Sequence, residues 1–342
     1  MDFTLDYSEY DNYTVDNFTY EEVSFRVHPT CSEEVLCIAL VVINVVIFLL
    51  GIVGNGVVIW IAGFKMKKSI NTTWYFSLAV SDFLFCFFLP FNIFYMATSD
   101  WTFGIFMCKF MSFIMFLNMF SSIFLLVIIS ADRCVAVMFP VWAQNKRTIS
   151  KALVMVSLAW VISAALSIPS IIFRDVQQHL GTSRCLNNYS TSQYSHETIA
   201  ISRFLVGFLI PFLIIITCYS IIIFKLRSNQ MARSTKPFKV MTALIVTFFL
   251  CWLPYHTLVL MELNQSIHAE VIPIVLRAGT LIASANSFLN PILYVFMGND
   301  FRRKFKSSLV SKMENAMGEE GRTLSRYLSR SSSMDARTST HI

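Results

Sequence analysis

Asp82, in the stretch Leu78-Ala79-Val80-Ser81-Asp82, is the one carboxylate inside a long apolar run. At the centre of a lipid bilayer such a charge costs at least about 2.5 kcal/mol unless it is partnered. Asn55, Asn118, Ser122, Asn286 and Asn290 lie at comparable depth in other runs and are the candidates to converge on it. Such a cluster is either a structural network or a cation or proton site, and the rarity of intramembrane ionisable groups favours the second. Asp132 and Arg133 stand together at the end of another run, where an arginine stem reaches into a bundle while its head stays wet; alone, the pair is accounted for by snorkelling. Pro254, in Cys251-Trp252-Leu253-Pro254, and Pro291, in Asn290-Pro291-Ile292-Leu293-Tyr294, remove backbone donors inside apolar runs and are hinge candidates. Trp252 is placed to couple a ligand to the first hinge by packing in two ways. No catalytic set accompanies these residues: His-Glu-x-x-His, Gly-x-Ser-x-Gly and a phosphate loop are all lacking, and the six histidines are scattered. The chain therefore reads as neither an enzyme nor a resident-metal or cofactor protein.

The elements that hold these residues follow from composition. The 342 residues are 55% hydrophobic and 14% charged, against roughly one-quarter charged in soluble domains, which calls for a membrane. A helix needs about 20 apolar residues to cross the hydrocarbon. Seven runs qualify, at 35–64, 72–98, 110–131, 152–173, 204–224, 240–261 and 278–299. The fold class is an all-α membrane protein: an acidic tail (1–34), a seven-helix bundle (35–299), a short amphipathic surface helix (300–310) and a Ser/Thr-rich tail (311–342). The net charge of +6 is broken into clusters rather than laid along one face, which argues against nucleic acid. Lys65, Lys67 and Lys68, then Lys146, Arg147 and Lys151, then Lys225 and Arg227, and finally Arg302, Arg303, Lys304 and Lys306 mark the cytoplasmic ends, so the N-terminus lies outside. Sequons at Asn12, Asn17, Asn188 and Asn264 fall on the outer side and are glycosylation candidates, whereas Asn71 falls inside and should stay bare. Cys108 and Cys185 share the oxidising side and are expected to form a disulfide, while Cys31 and Cys37 have no assigned role. A transporter or channel would show internal repeats or several intramembrane charges, which this chain does not.

Taken together, Gly54-Asn55, Leu78 to Asp82, Asp132-Arg133-Cys134, Trp160 and the two proline motifs are far more specific than any one of them. The chain resembles the rhodopsin-like G-protein-coupled receptors across residues 35–310. Phe64-Lys65-Met66-Lys67-Lys68, Pro140-Val141-Trp142-Ala143-Gln144-Asn145, Phe173-Arg174-Asp175 and Lys236-Pro237-Phe238-Lys239 resemble the chemoattractant branch, that of chemerin and formyl-peptide receptors. The resemblance implies that Arg133 engages the G protein, that Trp252 is a toggle, that Tyr294 is an activation switch, and that Asp82 with Asn118, Ser122, Asn286 and Asn290 forms a network linked to an allosteric sodium ion. It also implies a plasma-membrane receptor for an extracellular chemoattractant peptide or protein, coupling to an inhibitory-type G protein, arrestin and receptor kinases in chemotaxis or inflammatory signalling. The alternative ligands are a formylated peptide and an acidic, prostaglandin D2-like lipid.

Arg203 would face the bundle in this family, and a guanidinium suits a ligand carboxylate. Arg174, Arg184, Arg277 and Glu262 form a candidate charged rim, and Phe91, Tyr95, Phe116 and Tyr255 a candidate aromatic lining. On the inner side, the alternation in Phe301-Arg302-Arg303-Lys304-Phe305-Lys306 suits an anionic leaflet. Ser329, Ser331, Ser332, Ser333, Thr338, Ser339 and Thr340 are phosphorylation candidates.

Overall fold

The structure is a computed structural model that describes residues 35–179, 181–189, 193–228, 236–263 and 272–297, together with Arg303 and Phe305. The acidic tail, the sequons at Asn12, Asn17 and Asn264, Cys31 and the hydroxyl residues of 329–340 lie outside these residues. The chain folds into helices because lipid offers no partner to a bare N–H or C=O, and a helix satisfies every one of them internally. The crossings are α1 (Val35–Trp60, extended by a wide π turn at Ile61–Lys65), α2 (Ile70–Thr98), α3 (Gly104–Met138), α5 (Ile149–Ser167, continued by α6, Pro169–Ile172), α7 (Gln193–Phe204) running through a π turn into α8 (Ile210–Ser228), α9 (Lys236–Glu262) and α10 (Ile272–Met297). A short helix, α4 (Pro140–Lys146), joins α3 to α5. Among the described residues six helices meet the length and hydropathy of a membrane span, and α10 is the seventh crossing.

Helices α3 and α8 extend past the apolar runs. α3 starts six residues before the run at 110 and ends seven residues after 131, because hydrogen bonding continues once the helix leaves hydrocarbon while the apolar signal stops there. Local chemistry fixes several ends. Ser69 and Thr72 cap α2 reciprocally, each side chain bonding the other's backbone N–H. Pro169 opens α6 where α5 ends, and Pro211, lacking an N–H, follows the π turn Leu205–Leu209. Pro90 lies inside α2, a third proline break that the sequence reading did not single out.

α3 runs through the centre and packs against α2, α5, α8 and α9, while α1 touches α2 and α10, and α10 touches α9, closing the ring. The core mixes Leu78 of α2, Met119, Phe120 and Ile123 of α3, and Phe248 and Trp252 of α9. Leu49 and Val53 of α1, Leu158 and Val161 of α5, and Leu213 of α8 point outward, apolar side chains exposed on a lipid-facing surface. At one end an antiparallel hairpin, β1 (Arg174–His179) and β2 (Thr182–Asn187), lies over the bundle. It is the one exception to the all-α expectation among the described residues, and a Cys108–Cys185 disulfide ties it to the start of α3. Cys37 is also disulfide-bonded. At the opposite end Phe305 packs on the core while Arg303 is exposed, matching the alternation expected of the surface helix.

Candidate functional site

Three polar constellations sit along the bundle axis. Deepest is Asp82, fully buried on α2. Asn118 of α3 donates to its Oδ1 at 2.9 Å and Asn290 of α10 to its Oδ2 at 2.8 Å. Asn118 also donates to Ser81 at 3.1 Å, Ser81 and Ser121 share a hydrogen bond of 2.6 Å, and Ser287 donates to Asn118 Oδ1 at 3.3 Å. Asn55 donates to the Ser287 carbonyl at 2.8 Å, tying α1 in. Of the candidates named from sequence, Asn118 and Asn290 thus reach the carboxylate and Asn55 reaches its surroundings. Ser122 and Asn286 are buried one turn from Asn118 and Asn290, and neither Ser122 Oγ nor the Asn286 amide has a partner among the described residues. Ser81, Ser121 and Ser287 were missed because small hydroxyl residues are common in membrane helices and carry no distinguishing spacing. The unpartnered oxygens of Ser122 and Asn286, each one helical turn from a residue that bonds the carboxylate, are donors of the kind that a hard cation such as sodium takes.

At the end away from the hairpin, Asp132 pairs not with its neighbour Arg133 but with Arg147, whose Nε and Nη2 reach its two oxygens at 2.6 Å each. Arg133 instead donates to the Asn71 side chain, which also accepts from Arg147 at 3.3 Å. Two adjacent helical residues point about 100° apart, so a link between Asp132 and Arg133 themselves is not what the helix favours. Asn71 is half-buried and engaged as an acceptor at this end of the bundle.

Under the hairpin lies the third group. The Arg203 guanidinium sits 3.7 Å from the centre of the Phe116 ring, donates to Ser170 Oγ at 2.8 Å and hydrogen-bonds Tyr189, while its Nε is unpartnered. Arg174 donates to Asn187 Oδ1 at 2.9 Å and interacts electrostatically with Tyr95, Tyr189, Tyr255 and Arg203; burial pulls its guanidinium below its ordinary pKa. The hydrogen bond from Asn188, with one from the Val176 amide, holds the Asp175 carboxyl below the usual range. That bond uses the Asn188 amide nitrogen, the atom to which a glycan would be joined. Tyr189 stacks on His196 at 4.5 Å and meets Phe173 at 5.5 Å, and His196 lies 4.0 Å from Glu262. Glu262 is thus engaged with histidine rather than with either arginine.

Other rim and lining candidates divide. Phe91 and Tyr95 pack with Trp101, Phe103 and the disulfide beneath the hairpin. Arg184 is half-buried on β2, paired in register with Gln177, and Arg277 is exposed on α10. Phe116 and Tyr255 face each other at 6.3 Å, Tyr255 contacts Trp252 edge-on at 5.7 Å, and Trp252 stacks on Phe248 at 6.0 Å. A continuous aromatic column therefore runs from Arg203 to Trp252, two residues before Pro254. His256, buried against Phe208 and Trp252, belongs to this column and was not anticipated, since a lone histidine in a helix is usually core. Pro291 is buried beside Asn290, and the Tyr294 side chain lies outside the described residues.

Residues 54–294 match the family described as 7 transmembrane receptor (rhodopsin family). The chain is 44% identical over 338 residues to chemerin-like receptor 1 of Sus scrofa, covering 92% of this chain and 93% of that protein. It is 40% identical to the C3a anaphylatoxin chemotactic receptor of Danio rerio, covering 91% and 88%, and 36% identical to N-formyl peptide receptor 2 of Macaca mulatta, covering 90% and 93%.

Proposed function

The chain belongs to the rhodopsin family of seven-transmembrane receptors, and on that premise we propose that it is a cell-surface receptor whose ligand is a chemerin-like chemoattractant peptide or protein ending in a free carboxylate. The observation that carries this reading is the pairing of Arg203 and Arg174 beneath the hairpin, two guanidinium groups in electrostatic contact with no carboxylate engaged by either among the described residues. Two like charges held together in a poorly solvated site favour an incoming anion, and a bidentate guanidinium matches a carboxylate. Arg184, Arg277 and Glu262 line the approach, and the acidic tail steers a basic protein toward it.

The ligand's end displaces Arg203 from its seat on Phe116, and Tyr255 and Trp252 repack so that α9 swings about Pro254. At the inner face the Asp132–Arg147 pair opens, and Arg133 is freed for an inhibitory-type G protein. Arrestin and receptor kinases act on the Ser/Thr-rich tail. Asp82, Ser122, Asn286 and their neighbours would hold a sodium ion, which supplies a counter-charge to the carboxylate. Lys146, Lys151 and Arg303 support a cytoplasmic assignment for this face.

The test is inhibition of cyclic AMP formation in cells expressing the chain, challenged in parallel with chemerin-derived C-terminal peptide, a formyl peptide and prostaglandin D2. A response to the first is expected. A response confined to the other two rejects the ligand assignment and favours the formyl-peptide or acidic-lipid reading, which the same arginines would also serve.

A further inference from the structure

Beside the Asp132–Arg147 pair lies a cavity of about 170 Å³, bounded by α2, α3, α4 and the start of α5. Its rim is basic: Lys146 closes α4, Lys151 stands in the first turn of α5, both are exposed, and the one carboxylate in the lining, Asp132, is already neutralised by Arg147. The N-terminus of the 19-residue α5, capped by Thr148, opens onto the same rim and adds positive potential. Its floor is Trp74, 1% exposed, whose indole Nε1–H has no hydrogen-bond partner among the described residues. A buried donor left unpaired is costly and signals an acceptor to be supplied. Met155, on the cavity wall, also lines a second hollow of about 300 Å³ on the outer face of α3 and α5, built entirely from apolar side chains between Phe124 and Ile162. Along α5 that hollow continues for roughly 10 Å beyond Met155, at about 1.5 Å per residue. One cavity thus offers cations and an unpaired donor, and the adjoining one offers only hydrocarbon contacts facing the bilayer.

We propose that these two cavities, which share Met155 as a wall, form a binding site for one anionic glycerophospholipid, its phosphate-bearing headgroup between Lys146, Lys151 and Trp74 Nε1 and an acyl chain along the groove past Met155. The basic rim favours an anionic over a zwitterionic lipid, and the adjoining apolar hollow distinguishes a lipid from a free anion. A lipid seated there lies against Arg147, so its headgroup bears on the pair that holds Asp132. The inference rests on the reading above only in taking this face as the cytoplasmic one.

Native mass spectrometry of the full chain in detergent, titrated with dioleoyl phosphatidylserine against dioleoyl phosphatidylcholine, tests it. One phosphatidylserine should bind in clear preference. Combined Lys146→Ala and Lys151→Ala should weaken it about 30-fold, at roughly 1 kcal/mol per basic residue at an anionic lipid surface. Trp74→Phe, which keeps a ring and removes the N–H, should weaken it about fivefold, the worth of one hydrogen bond at about 1 kcal/mol; if that variant does not fold, the lysine variants carry the test. Equal binding of the two lipids, undiminished phosphatidylserine binding by the lysine variants, or competition by soluble glycerophosphoserine as strong as by the intact lipid would overturn the proposal. Sidedness is read separately, by antibody access to a C-terminal tag in intact and permeabilised cells, so a wrong orientation and a missing lipid site give different failures.

Discussion

Arg147→Ala should make the receptor signal without ligand. Arg147 holds Asp132 by two charge-assisted hydrogen bonds of 2.6 Å, with 26% of the arginine side chain and 11% of the aspartate exposed. A hydrogen bond to a charged group contributes about 1.5–3 kcal/mol when buried, and exposed ion pairs well under about 1 kcal/mol. For a pair a quarter exposed on one side, about 2 kcal/mol for the whole contact is reasonable. If the pair exists only in the resting arrangement, its loss shifts the equilibrium toward the active form by about 30-fold. A resting active population of about 1% would then rise to roughly one-fifth. The assay is ligand-free nucleotide exchange on an inhibitory-type G protein in membranes matched for receptor number. Arg147→Lys keeps the charge but loses the fork and should fall between wild type and Arg147→Ala. Asp132→Asn should also raise basal exchange, and the double variant should add little to either single change, because both remove one contact. Basal exchange that stays at the wild-type level in Arg147→Ala, with the agonist response intact, would refute the role given to this pair.

Three further outcomes follow from the same geometry. Asp82→Ala strands the Asn290 donor, at about 1–3 kcal/mol, and leaves the Asn118 amide only Ser81, so the thermal midpoint should drop by several degrees; in Asp82→Asn, agonist affinity should no longer change when potassium is exchanged for sodium, as equilibrium binding would show. Gly51→Ala places a methyl group against Cys86 Sγ, an overpacking worth about 1–3 kcal/mol; surface expression should fall and recover in Gly51→Ala/Cys86→Ala, and failure of that rescue would exclude the clash as the cause. Cys185→Ser releases the hairpin from α3 and should abolish ligand binding in radioligand assays while leaving the constitutive exchange of an Arg147→Ala background intact.

The sequence reading reached the fold because membrane helices obey a length rule that Val35–Trp60 or Ile149–Ser167 satisfy on their own. It reached Asp82, Asn118 and Asn290 by the same route, since a polar group in hydrocarbon is rare enough to be conspicuous. Ser81, Ser121 and Ser287 escaped it because a serine can satisfy its hydroxyl on its own helix, as Ser130 does on the Leu126 carbonyl. The Asp132–Arg147 pair escaped it because the partner sits fifteen residues on, brought back by the short helix α4. The hairpin 174–187 was legible only as a loop, its strands too short and polar to announce themselves. Tyr189 and Ser170, which hold Arg203, belong to segments whose placement depends on that hairpin and on the Pro169 break.

The carboxylate anchor is tested most directly by the potency ratio between a chemerin-derived C-terminal peptide and its C-terminally amidated form, measured as cyclic AMP inhibition on the wild-type chain and on Arg203→Ala. Truncating one partner of a desolvated charge pair costs about 2 kcal/mol or more, so the free acid should lose at least about 30-fold in potency on Arg203→Ala while the amide changes little. Equal losses for the two peptides, at matched surface expression, would contradict the account.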